Sequence, residues 1–145
     1  MKYKSVITGG IVATLAMTML MLVAPMMGMP KMNVGEMLSG MMGLPVAVGW
    51  IMHFMIGVIF ALIYSWVFNS KIPIGNYMLR GIVYGALVFI FAQIMFAGMR
   101  AMGIMPSMGG DMVKSIAGSL MGHLLFGFVL SFFFKDNVSV DNKHY

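Results

Sequence analysis

The residues of this sequence best suited to chemistry are two histidines, each set in an apolar stretch. His53 lies in Val46–Phe68 and His123 in Ile116–Phe134, and each is followed after four residues by Gly and after eight by a small residue: His53, Gly57, Ala61 and His123, Gly127, Ser131. At roughly 3.6 residues per helical turn these positions share a face, so each stretch sets an imidazole above a shallow groove of small side chains. One reading is a haem ligated by both imidazoles. Gly57 and Gly127 would then be small because the ring lies against them, with Arg100 or Lys114 at the rim meeting the propionates. A single soft metal ion is a variant of the same idea. Two histidines leave coordination incomplete, and Met52, Met55 or Met121 could supply a thioether suited to Cu(I). In the competing reading both imidazoles are neutral and each donates a ring N–H to a carbonyl across the bundle, while the glycines permit close helix approach.

Methionine is the second signal, at 21 of 145 residues. Seventeen lie between Met17 and Met42 or between Met95 and Met121, around two connections at one end of the helices. Met26, Met27, Met29 and Met32, with the run Met95 to Met112, offer thioethers to arriving Cu(I). The alternative is that Met fills irregular gaps or makes an adaptable partner surface. Glu36 and Asp111 are the only acidic residues outside the C-terminal tail. Both fall near the start of a predicted helix, where a carboxylate meets the positive end of the helix dipole.

These residues need a scaffold, and composition names it. A chain that is 61% hydrophobic and 9% charged, with mean hydropathy +0.95, has too little polar surface to cover a soluble globule. Four apolar runs, Val6–Met27, Val46–Phe68, Met78–Met99 and Ile116–Phe134, match the roughly 20 residues needed to cross a bilayer. The fold class is therefore all-α, a polytopic membrane protein of four transmembrane helices. Of nine basic residues, Lys2, Lys4, Lys71, Arg80, Lys135 and Lys143 fall on one side and Lys31, Arg100 and Lys114 on the other. That asymmetry predicts a multi-pass protein of the cell inner membrane with both termini cytoplasmic. The basic residues follow the membrane rather than forming a patch, which argues against nucleic acid as a partner. With no Cys there is no thiol chemistry. The apolar run after MKYK is longer than the h-region of a secretory signal and is kept as a helix of the mature protein.

Along the chain, helix 1 carries small residues at Gly9, Ala13 and Ala16 and at Gly10, Thr14 and Thr18, spacings for close packing in lipid. A Met-crowded connection bracketed by Pro30 and Pro45 predicts a short amphipathic helix over Val34 to Met42 along the outer interface. Helix 2 ends in Tyr64, Trp66 and Phe68, aromatics suited to a membrane interface. Helix 3 opens with Arg80 and the Gly81, Gly85 spacing, and its interior Gln93 is expected to bond a neighbouring helix.

The sequence also repeats. Gly10-Ile11-Val12 matches Gly81-Ile82-Val83 at an offset of 71, and His53 with Gly57 matches His123 with Gly127 at 70. Met29-Pro30-Lys31-Met32 answers Met105-Pro106-Ser107-Met108 in the same order. The expected domain is a single membrane unit over 1–145, with one repeat at about 5–68, a second at about 77–134 and a tail at 135–145. Each half crosses twice, so the halves would be parallel, related by an axis along the membrane normal. In an up-down bundle helices 2 and 4 are then diagonal partners across roughly 11–14 Å, with His53 and His123 facing each other. Both lie seven residues from the predicted outer end of their helix, and so at one depth.

No Gly-rich phosphate loop, no Ser/His/Asp or Cys/His set and no carboxylate inside a predicted span is present, so an enzyme is not expected. The paired unit, with its G-I-V opening, M-P-x-M loop and H-x-x-x-G crossing, resembles a family of small four-helix bacterial membrane proteins of unknown function. The resemblance covers nearly the whole chain and implies the four-helix fold, but no activity. The expected function is to hold a haem or copper between the paired histidines near the outer face, for electron transfer or copper handling. Its rival is a cofactor-free accessory or scaffold subunit that docks other membrane-complex subunits or forms a homo-oligomer. A small transporter or pore is disfavoured by the lack of polar lining residues.

Overall fold

Four helices are long and apolar enough to span a bilayer, Tyr3–Met27, Val46–Lys71, Tyr77–Ala101 and Met112–Phe132, in a computed structural model that describes residues 2–104 and 111–135. The second M-P-x-M block at Met105–Met108, Gly110 and the tail beyond Lys135 lie outside the described residues. Helix α1 (Lys2–Val23) runs into a 3-10 turn (Ala24–Met27). Helix α2 (Val34–Met42) is the predicted short helix, with the predicted bounds. Helix α3 (Val46–Ile63) continues through a π-helical turn (Tyr64–Phe68) to Lys71. Helices α4 (Tyr77–Ala101) and α5 (Met112–Phe132) complete the fold. Among the described residues there are no strands.

Short polar side chains set the helix starts. Asn33 Oδ1 accepts the Glu36 N–H at the start of α2, Asn76 Oδ1 accepts those of Met78 and Leu79 at α4, and Asp111 Oδ1 accepts those of Val113 and Lys114 at α5. The Asp111 cap starts α5 at Met112, one turn before the expected Ile116. Glu36 lies in the first turn of α2. Helix α2 folds back on the start of α3. Gly35 and Gly49 bring the two backbones together, and a Cβ on Gly35 would stand 2.5 Å from Trp50 Nε1.

Large apolar side chains such as Leu22, Ile51, Ile94 and Met55 face outward, while small and polar residues such as Ala13, Thr14, Ala61 and Ser131 are buried between the helices beside larger ones such as Tyr64 and Leu130. That is the inverse of a soluble protein and the pattern expected in lipid, where close packing holds helices together. The two small-residue sets of α1 serve different neighbours. A Cβ on Gly9 would meet Phe133 and Leu130 beside α5, whereas one on Gly10 would meet Val58, Ala61 and Gly57 of α3. On the other flank, Gly81 and Gly85 of α4 lie against Gly127, Ser131 and the His123 carbonyl of α5. Helices α1 and α5 are accordingly the central pair, with 44% of their most apolar windows buried against 22% for α3 and 17% for α4.

The bundle departs from a square. Helix α3 meets α4 through side chains toward the terminal end, where Tyr84 Oη donates to the Phe60 carbonyl (2.6 Å) and Phe60 meets Phe91 edge-on. At that end Tyr64, Phe68, Tyr84 and Phe134 form a closed aromatic cluster, and Tyr64 of α3 reaches Phe134, just past α5, at 5.4 Å between ring centroids. Buried Arg80 fastens the α3–α4 connection. Its guanidinium donates to the Asn69 carbonyl (3.1 Å) and Oδ1 (2.7 Å) and, from Nε and Nη2, to the Ile74 carbonyl.

Candidate functional site

The two histidines are held differently, for a reason visible in the sequence. Thr18 Oγ1 lies 3.1 Å from His53 Nε2, and the same hydroxyl is 2.8 Å from the Thr14 carbonyl, to which it donates. Its proton being committed, the Thr18 oxygen accepts from Nε2–H, so the hydrogen-bond network assigns His53 the Nε2–H tautomer, with its lone pair on Nδ1. The residue equivalent to Thr18 in the second half, at the offset of 71, is Phe89. Phe89 meets the His123 ring edge-on at 6.0 Å and offers no acceptor. His123 therefore turns back on its own helix and donates Nδ1–H to the Ser119 carbonyl (2.7 Å), which leaves the lone pair on Nε2.

Among the described residues, each imidazole thus spends one nitrogen on a hydrogen bond and keeps the other bare. Ligating histidines have this arrangement, because the hydrogen bond on one nitrogen fixes the tautomer and raises the basicity of the other. Neither bare nitrogen is sealed away without a partner. Among the described residues that condition belongs to Tyr64 Oη alone. His53 is buried between Trp50 and Phe54. Both histidines stand eleven residues before an aromatic of the closed cluster, Tyr64 and Phe134 respectively, or about 16 Å of helix. Measured from the helix starts the depths differ, because the Asp111 cap adds a turn to α5.

The space a Cβ would take on Gly57 is filled by Thr14 Oγ1, and that on Gly127 by the Gly81 carbonyl and the Gly85 backbone. Gly57 and Gly127 therefore sit where helices touch. The nearby methionines do not converge on the rings as a set. Met55 is exposed toward lipid, Met52 is half-buried, and Met121 lines a small cavity nearer the Met-rich end. Arg100 and Lys114 are exposed near that end.

Three groups escaped the sequence reading. Ser119 accepts from His123 through its carbonyl and from Gln93 Nε2 through its hydroxyl (3.3 Å), so Gln93 bonds a neighbouring helix as expected. Thr18 looked like one more small packing residue. Phe89 carried no signal beyond its place in the repeat. Of the two hollows that stand out among the described residues, neither is lined by a histidine. No group of three or more His, Asp or Glu side chains gathers around a metal-sized point among the described residues.

No curated protein and no solved structure matches the chain. A family model of unknown function matches residues 1–142. With nearly its whole length matched, this four-helix chain belongs to that family, described as Family of unknown function (DUF6789).

Proposed function

We propose that this protein holds a soft metal ion, copper(I) foremost, between His53 and His123 near the outer face of a cell inner membrane, and that it handles copper rather than catalysing a reaction of its own. The observation that carries the reading is the pair of fixed tautomers. Each imidazole has one nitrogen anchored, by Thr18 or by the Ser119 carbonyl, and one bare. Soft, low-charge Cu(I) accepts imidazole and thioether ligands and tolerates low coordination numbers. Haem is the weaker form of the idea, since Gly57 and Gly127 are occupied by neighbouring helices. The proposal includes the arrangement of two parallel repeats, which draws support from contacts at equivalent positions. Gly10 abuts Gly57 and Ala61, as Gly81 abuts Gly127 and Ser131.

Metal analysis and an optical spectrum of the purified protein test this. One equivalent of copper with nitrogen ligands that is lost in both His53→Ala and His123→Ala supports it. A Soret band lost in the same variants would replace the metal with haem. Neither signal, together with co-purifying membrane subunits, would favour a cofactor-free accessory or scaffold role. The observation behind that second reading is the scant burial of α3 and α4, whose apolar faces are free to meet other helices.

A further inference from the structure

The methionines at the end of α1 are folded over α5 by the backbone itself. After the 3-10 turn the chain reverses at Gly28, in the left-handed conformation with φ 80°, and the Gly28 and Met29 N–H groups return to the Pro25 and Ala24 carbonyls. This lays Met29 and Met32 across Gly118, where a Cβ would stand 3.2 Å from Met32 Cε and 4.0 Å from Met29 Sδ. Beneath them is a cavity of about 20 Å³, and five of its eight lining residues are Met, in a chain where Met is 21 of 145. A void of that size admits one atom-sized guest. Water would need two to four polar partners, and these walls are apolar.

A soft monovalent cation has what the walls offer, because thioether sulfur is a ligand for Cu(I). A single charge also costs less to desolvate than a double one, because that cost scales with the square of the charge. The cavity is reachable, since Met27 is 68% and Met121 42% exposed. We infer that Met21, Met27, Met29, Met32 and Met121 form a thioether site for a soft monovalent cation, distinct from the imidazoles. Gly118 precedes His123 by five residues, about 7.5 Å of helix, so the site lies between the Met-rich surface and the histidine level.

The full chain in lipid nanodiscs, titrated with Ag(I) as a redox-inert probe and with Cu(I) under ascorbate, tests the site, with X-ray absorption reporting the ligand type. The expected result is a sulfur shell, present beside any nitrogen scatterers of the imidazole site and alone in the His53→Ala/His123→Ala variant, whose affinity falls at least tenfold in Met29→Leu/Met32→Leu. Leu conserves most of the volume, so the bundle stays folded, and circular dichroism verifies this. His53→Ala/His123→Ala should leave the sulfur shell in place, which separates this site from the imidazole reading. Unchanged affinity in the Met double variant, absence of a sulfur shell in the wild type, or loss of that shell in the His double variant would each overturn it.

Discussion

Thr18 accepts a hydrogen bond from His53 across the α1–α3 interface, with 3.1 Å between Thr18 Oγ1 and Nε2. The bond ties the orientation of a buried imidazole to a hydroxyl that is itself anchored on Thr14. Thr18→Val keeps the shape and removes the acceptor. We expect it to cost about 1 kcal/mol of stability in detergent, the usual net value of such a bond. Nitrogen chemical shifts of the His53 ring should move toward a mixture of tautomers, whereas Thr18→Ser should preserve both stability and shifts.

Glycines at the α4–α5 contact should be intolerant of any side chain. Gly127 abuts the Gly81 carbonyl and Gly85, so Gly127→Ala must push backbones apart. A loss of about 1–3 kcal/mol is expected for such overpacking. Gly98→Ala, where no described residue lies within 4 Å, serves as the control. A helix interior there should gain slightly from Ala, so thermal unfolding of the two variants should move in opposite directions.

Two neighbouring tyrosines should respond with opposite signs. Tyr64 is fully buried and its hydroxyl has no partner among the described residues, while Tyr84 Oη donates to the Phe60 carbonyl. An unsatisfied buried hydroxyl costs about 1–3 kcal/mol, so Tyr64→Phe should leave stability unchanged or raise it. Tyr84→Phe should lower it by about 1 kcal/mol, because the Phe60 carbonyl loses its link to α4.

Arg80 should act as the clasp of the α3–α4 connection. Its guanidinium gathers Asn69 and Ile74 through hydrogen bonds that the single ammonium of Lys cannot reproduce in the same geometry. We expect Arg80→Lys to speed proteolysis within residues 69–76 while the helices persist by circular dichroism. An unchanged cleavage rate would show that the clasp is dispensable.

The spans were legible because the bilayer demands long apolar runs, and α2 was legible from the bracketing Pro30 and Pro45. That Gly10, Gly57, Gly81 and Gly127 mark faces for close approach could be read from small-residue spacing. What those glycines face could not, since a groove for a ring and a groove for a helix have the same residues. The departure from a square was also hidden, because α3 meets α4 through Tyr84 and Phe91, whose reach no periodicity encodes. The unequal anchoring of the histidines follows from Thr18 and Phe89 occupying equivalent positions, a difference that gains meaning only once α1 is seen against α3.

Loading the purified full chain with Cu(I) and recording its copper-edge X-ray absorption, beside the His53→Ala/His123→Ala variant, tests the imidazole site most directly. The proposal predicts nitrogen scatterers around copper in the wild type that disappear in the double variant. An identical spectrum from the two proteins would contradict it.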